Sequence, residues 1–329
     1  MSYKAEKEKT EKQLKRIKYI ILSVVLLLVA GLGIFSAIVP AETWKYYFSL
    51  PSITQIEEGE LRIHFIDVGQ GDSIFIELPD NKTLLIDGGD GSEQAEDSLM
   101  RYLNALQIKK IDYVFVTHSD TDHCGGMDKV LLYKEVDKLY LPDVENFQKN
   151  TAYAQLYEAA VKRGVSIALC KRGVSILSDN QAYPYAFTVL YPYLLSDVSA
   201  SSKNDESSIA WLDYNGVSAL FTGDSSTVEE SMLMTEDAKG FFDVYGVNLQ
   251  STEILKVAHH GSRYATSEEF LRYLHVQTAV ISCAADNAYG HPHEETLVRL
   301  RNCVEGIYRT DVHGNVVITV KSDGTYVVG

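Results

Sequence analysis

The sequence predicts a mixed α/β domain carried behind one N-terminal apolar helix. Three observations lead there. Of the 329 residues, 46% are hydrophobic and 23% charged, an ordinary balance for a globular chain with a sizeable core. No charged residue interrupts the run from Tyr19 to Ala41. Beyond Leu61, short β-rich runs closed by Gly, Asp or Asn alternate with helical stretches.

Taken in chain order, residues 1–18 form a basic tail in which Lys4, Lys7, Lys9, Lys12, Lys15, Arg16 and Lys18 outnumber Glu6, Glu8 and Glu11. Residues 19–41 follow, with Ile20 to Ala30 almost purely Ile, Leu and Val. At about 1.5 Å per residue this stretch exceeds the roughly 30 Å hydrocarbon core, so it reads as a transmembrane helix. The basic cluster before it and Glu42, Glu57, Glu58 and Glu60 after it place the N-terminus in the cytoplasm and the remainder outside the cell. A buried core helix and a signal peptide cleaved near Val39-Pro40-Ala41 are the alternatives; the long basic region and the length of the apolar run favour a retained single-pass anchor. Residues 42–60 read as a tether, in which Trp44, Tyr46 and Tyr47 suit the outer interface.

Residues 61–329 read as one domain, without internal repeat or low-complexity tract. Strands are expected over Leu61 to Asp67, Ser73 to Leu78, Thr83 to Asp87, Asp112 to Thr117, Val217 to Thr222 and Ile254 to Val257. Helices are expected around Glu93 to Leu106, Ala152 to Arg163, Thr227 to Met234, Ser267 to Leu274 and Glu294 to Cys303. Residues 195–208, rich in serine, form a polar loop suited to the rim of a site. The net charge of −15 becomes more negative once the basic tail is set aside, which argues against broad binding of a phosphate backbone. Cys124, Cys170, Cys283 and Cys303 form no C-x-x-C pair and read as free thiols in preference to a disulfide.

The chemistry concentrates in Thr117-His118-Ser119-Asp120-Thr121-Asp122-His123-Cys124-Gly125-Gly126, directly after an apolar strand. Four potential metal ligands fall within six residues, and a strand delivers its terminal loop to one edge of a sheet where they can converge on divalent cations. Two metals would need further ligands from other strand ends. Phe221-Thr222-Gly223-Asp224 supplies an aspartate suited to bridge them, and Val257-Ala258-His259-His260-Gly261-Ser262 supplies paired histidines.

Together these phrases resemble the metallo-β-lactamase superfamily, and within it the extracellular hydrolase domain of ComEC-type competence proteins. Phe65-Ile66-Asp67-Val68-Gly69-Gln70-Gly71-Asp72-Ser73, Leu85-Ile86-Asp87-Gly88-Gly89 and Tyr289-Gly290-His291-Pro292-His293 extend the resemblance across most of residues 61–329. It implies an αββα sandwich of two mixed sheets between helices, with two divalent cations, zinc or manganese, at one edge. Carried over by position, His118 and Asp120 would lie on one metal, Asp122 and His123 on the other, and Asp224 between them. The superfamily's last histidine stands immediately before a glycine, which favours His260 over His259. Asp120 stands where the general pattern has a histidine, a substitution that the ComEC-like group shares. No histidine lies between His123 and His259 to supply the usual middle ligand, so Asn204, Asp205 or a water is expected in its place. Asp67 and Asp87 are expected to orient ligands, and Asp72 to bond neighbouring backbone. Asp122, His291 and His293 are the candidate catalytic groups, the two histidines as donors to a phosphate or leaving group. His64, His275 and His313 belong to no motif and read as structural.

The resemblance implies a membrane-anchored extracellular phosphodiesterase, with single-stranded DNA as a candidate substrate. ComEC-type proteins also carry a multispanning channel region, which this sequence does not contain. A phosphoesterase of the cell envelope, acting on phosphocholine esters, is the rival enzyme reading, and a basic strip of Lys203, Lys256 and Arg263 would favour DNA over it. A tethered binding module without catalysis is the reading from another class.

Overall fold

A computed structural model of the chain describes residues 3–38, 53–144, 150–192 and 207–329. It contains two compact units, Met1–Leu50 and Pro51–Gly329. In the first, α1 (Tyr3–Ile38) is one continuous helix. The Lys, Glu and Gln residues of the basic tail are good helix formers with no Pro or Gly among them, so the helix begins well before the apolar run. From Lys7 to Ala37 its apolar side chains are exposed except for the half-buried Phe35, Leu27 by 73%. The helix is long and apolar enough to cross a membrane. Trp44, Tyr46 and Tyr47 lie outside the described residues.

The second unit is built on two facing sheets. The first orders its strands as β15 (Tyr326–Val328), β14 (Val316–Val320), β1 (Leu61–Phe65), β2 (Ile74–Glu77), β3 (Thr83–Ile86), β4 (Lys110–Phe115), β5 (Glu135–Leu141) and β6 (Ser166–Leu169). The second orders β13 (Gly306–Arg309), β12 (Thr278–Ile281), β11 (Thr252–Lys256), β10 (Val217–Phe221), β9 (Ile209–Tyr214), β8 (Tyr185–Tyr191) and β7 (Ser175–Leu177). Pairing is parallel from β3 to β6 and from β10 to β13, and antiparallel elsewhere.

The strands of β2, β3 and β10 are buried at every position, as required of sheets covered on both faces. Side-chain alternation sends one set inward: Ile63, Phe65, Ile74 and Ile86 of the first sheet meet Phe187, Leu212, Phe221 and Ile254 of the second in a single core. The opposite face of the second sheet, with Trp211, Leu220, Leu255 and Ile281, packs under the helices Thr227–Leu233, Glu236–Tyr245, Glu268–Leu274 and Glu294–Cys303 through Leu233, Phe242, Phe270 and Leu300. On the first sheet, helices Glu93–Ala105, Met127–Tyr133 and Thr151–Arg163 bury Leu99, Leu103, Val130 and Leu156. The result is the expected αββα sandwich. The four cysteines are free, three of them buried.

Candidate metal centre

The parallel strands end at one edge of the sandwich, the position at which open α/β sheets place their ligands. Asp87 follows β3, His118 follows β4, Asp224 follows β10 and His259-His260 follow β11. Each of these residues therefore follows a strand whose burial fixes where the chain emerges, while Asp122 and His123 lie on the short helix Thr121–Cys124 that follows β4.

Backbone packing then closes the edge. The Asp72 N–H donates to the Asp122 carbonyl at 3.1 Å, the Gly88 N–H to the His123 carbonyl at 2.7 Å, and the Gly125 N–H to the Gly89 carbonyl at 3.1 Å. Gly71 has φ +140°, and a Cβ there would collide with the Asp122 carbonyl oxygen. The glycine-bearing phrases around Gly71, Gly88 and Gly125 are thus mutual contact surfaces. Gly223, at φ +49°, sits so close to the Ser207 hydroxyl that no side chain fits, and the same hydroxyl accepts from the Asp224 N–H at 2.9 Å.

Three imidazoles are held from behind. His123 Nδ1 lies 2.8 Å from Asp87 Oδ2, and His260 Nδ1 donates to the Ser282 carbonyl at 2.9 Å. His118 Nδ1 lies 3.0 Å from Thr117 Oγ1, whose hydroxyl donates to Asp87 Oδ2 at 2.6 Å while the Thr117 N–H donates to Asp87 Oδ1. With Nδ1 engaged, Nε2 is the atom left to face inward, the arrangement that metal-ligating histidines require.

Those inward atoms meet at Asp224. Its Oδ1 lies 3.2 Å from His123 Nε2 and 3.5 Å from His260 Nε2; its Oδ2 lies 3.7 Å from His259 Nε2 and 4.0 Å from His118 Nε2. Asp122 Oδ2 is 3.3 Å from His260 Nε2. The ligand atoms of Asp122, His123, Asp224 and His260 all fall within 4.8 Å of one another.

A divalent cation fits this set on two counts. His118 Nε2, His123 Nε2, His260 Nε2 and Asp224 Oδ1 are buried without a hydrogen-bond partner, a costly state unless something else binds them. Imidazole nitrogens and carboxylate oxygens are also the donors that zinc and manganese take. Protonation follows the same logic. Burial opposes charge on His260, but Asp224 and Asp72 outweigh it and lift its pKa to about 10. His123 is likewise buried yet raised by Asp224 and Asp87. Burial and the nearby His123 push His118 down to about 3. Despite burial, His260 and His123 hold Asp224 well below the ordinary carboxylate range. Protons on His123 and His260 stand in for the positive charge that the carboxylates demand.

A cleft of about 220 Å³ opens over the centre, lined by Gln70, Asp120, Asp122, Asp224, His259, His260, Tyr289 and His291. Of the two candidate donor histidines, His291 lines it. His293 stands behind, its Nδ1 accepting from the Arg263 N–H at 3.1 Å. Burial and the imidazoles of His260, His259 and His293 lower the pKa of His291 to about 4.

Asp87 bonds His123 and Thr117 behind the cluster, whereas Asp67 accepts from the Gly69 N–H in its own turn. Asp72 joins the site, contrary to the expectation of a local backbone partner: it is buried, 2.5 Å from Lys256 Nζ and 3.5 Å from His260 Nδ1. Ser207 was legible only as the end of a serine-rich loop. Asn204, Asp205 and Lys203 lie outside the described residues. Lys256 is buried and Arg263 pairs with Glu295 at 2.8 Å, so neither extends a basic strip beside the cleft.

Comparison with known proteins identifies the family. The family profile of the metallo-β-lactamase superfamily matches residues 66–285. ComE operon protein 3 of Bacillus subtilis is 33% identical over 82% of this chain and 34% of its own length. Recombination protein 2 of Haemophilus influenzae is 25% identical over 84% and 31%, and competence protein ComA of Neisseria gonorrhoeae is 28% identical over 79% and 32%. The chain spans about a third of the length of the curated relatives it matches.

Proposed function

The chain belongs to the metallo-β-lactamase superfamily, a fold of metal-dependent hydrolases, and from that premise we propose that it cleaves phosphodiester bonds at the outer face of a membrane in which α1 is anchored. The observation that carries this reading is the two-sided Asp224, whose oxygens face His123 and His260 on one side and His118 and His259 on the other. Two divalent cations, zinc or manganese, would be held there, one by Asp122, His123 and His260, the other by His118 and Asp120 with His259, and both by Asp224. His259 takes the place of the missing middle histidine. When bound, such cations polarise a phosphoryl oxygen and make water acidic enough to attack at neutral pH.

The chain's own residues supply the rest. Asp122, whose side chain is 30% exposed and faces the cleft, is placed to orient an incoming water. His291 is neutral at pH 7 with an unpartnered buried Nδ1, and serves as a hydrogen-bond donor to a phosphate or leaving oxygen. Tyr289, 66% exposed, stacks on His291 with ring planes 22° apart and offers a platform for a planar base. Similarity to competence proteins supports a nucleic-acid substrate, with single-stranded DNA the class tested first. The inward Lys256 and the paired Arg263 favour a second reading, a small phosphoester of the cell envelope such as a phosphocholine ester, which needs no basic track.

The test uses the full-length protein in detergent, stripped of metal, reloaded with zinc or manganese, and assayed on single-stranded DNA, a chromogenic phosphodiester and glycerophosphocholine. Metal-dependent DNA cleavage that disappears in Asp224→Ala supports the nuclease. Turnover of small esters without DNA cleavage moves the assignment to the envelope esterase. Metal binding with no turnover on any of the three leaves a tethered binding module.

A further inference from the structure

Alternation along β11 places Lys256 on the same face as Ile254, which points into the core between the sheets. A lysine there is anomalous, because an ammonium buried on an apolar face is costly unless it is paired. Lys256 is 1% exposed, and its Nζ lies 2.5 Å from Asp72 Oδ2. Asp72 arrives from the loop between β1 and β2 on the opposite sheet and is equally buried.

The carboxylate so held stands behind two of the inward imidazoles. Asp72 Oδ1 is 3.5 Å from His260 Nδ1, and Asp72 Oδ2 is 3.8 Å from His123 Nδ1. The ligand atoms of Asp72, Asp87 and His123 form a second compact group within 4.8 Å. That group is already served: Asp87 accepts from Thr117 and His123, and the ammonium of Lys256 lies on Asp72. Without the ammonium, the two neighbouring buried carboxylates would have the imidazoles of His123 and His260 beside them but no fixed cation.

We propose that Lys256 is a positioning residue of the metal centre: its buried ammonium is the built-in cation that holds the Asp72 carboxylate behind His123 and His260 and so keeps their Nε2 atoms aimed at Asp224. The inference rests on the reading of Asp122, His123, Asp224 and His260 as ligands, and it concerns cation affinity whatever the substrate. The two Nδ1 atoms are already bonded to the Ser282 carbonyl and to Asp87, so Asp72 adds negative charge behind them and raises their basicity, and losing an outer partner of a ligating imidazole costs about 10–100-fold in metal affinity.

The experiment measures zinc affinity of the full-length protein in detergent by competition with a chromogenic chelator, alongside thermal melting. Lys256→Met and Asp72→Asn are each expected to weaken zinc binding by about 10–100-fold. The double variant Asp72→Asn/Lys256→Met buries no unpaired charge, so it should melt close to wild type while still binding zinc at least about tenfold more weakly. If Lys256→Met does not fold, the double variant carries the comparison alone. Native zinc affinity in the double variant would make the pair a folding device only and overturn the proposal. Zinc binding absent from the wild type would overturn the ligand reading and this inference together, whereas tight binding shared by wild type and variants would overturn this inference alone.

Discussion

At Asp224 two carboxylate oxygens face different neighbours, so single substitutions should separate the two sides. His123→Ala and Asp224→Ala are expected to abolish hydrolysis while circular dichroism shows the fold retained; full activity in either would sink the ligand assignment. His260→Ala should cost more activity and metal affinity than His259→Ala, because His260 is buried at 1% exposure and belongs to the four-residue group, whereas the His259 side chain is 27% exposed on the far oxygen. The pKa shifts add a pH dependence. His260, raised from 6.5 to about 10, and His123, also raised, hold protons at pH 7 that a cation must displace. Zinc affinity should therefore climb from pH 6 to pH 9, and proton release on binding should be measurable by calorimetry in buffers of different ionisation enthalpy. In metal-free protein the sign is opposite: a folded pKa above the unfolded one stabilises below the unfolded value of 6.5, and that contribution fades as pH rises towards about 10.

The loop that carries the metal motif is shaped by its neighbours as much as by its own residues. Asp72 N–H, Gly88 N–H and Gly89 C=O bond the backbone around Asp122, His123 and Gly125, which turns three separate sequence phrases into one rigid rim. Gly71→Ala would place a methyl against the Asp122 carbonyl at a backbone angle unsuited to alanine. The expected cost is about 1–3 kcal/mol of stability, read by urea unfolding, together with weaker metal binding. An alanine that leaves both unchanged would show that the rim yields. Asp87→Asn should act differently. It keeps the shape but weakens the acceptor of His123 Nδ1 and of the Thr117 hydroxyl, so metal affinity should fall by about 10–100-fold with little change in the unfolding midpoint.

For the molecule as a whole, the charge and the apolar helix set the expected behaviour. If α1 is an anchor with its basic end in the cytoplasm, the full chain should fractionate with membranes, and protease added to intact cells should digest the domain while sparing the basic end of α1. A domain protected in intact cells and digested only after lysis would reverse the orientation. If single-stranded DNA is the substrate, the acidic domain, with net charge −15 even including the basic tail, should hold it through a few local contacts at the cleft. A shallow dependence of DNA affinity on salt is expected, in contrast to the steep slope of a protein that neutralises many phosphates.

Some of this protein is determined locally and is therefore written in the sequence. Apolar runs of strand length ending in Gly and Asp specify where β3, β4, β10 and β11 stop, and hence that Asp87, His118, Asp224 and His260 emerge at strand ends. The uncharged run from Tyr19 to Ala41 suffices to mark a helix long and apolar enough to cross a membrane, as α1 is. The start of α1 was less legible, since helix-forming charged residues give no signal at which an apolar segment becomes the whole helix. What only the tertiary structure decided are relations between distant segments. The side of Asp224 that each histidine faces, the exclusion of His293 from the cleft in favour of His291, and the capture of Lys256 by Asp72 all depend on which strand faces which across the sandwich. A lysine at the end of β11 reads as a surface cation from its chemistry alone. Its burial follows from strand alternation and from the loop brought to it by the opposite sheet, and neither is a property of the residue or its neighbours in sequence.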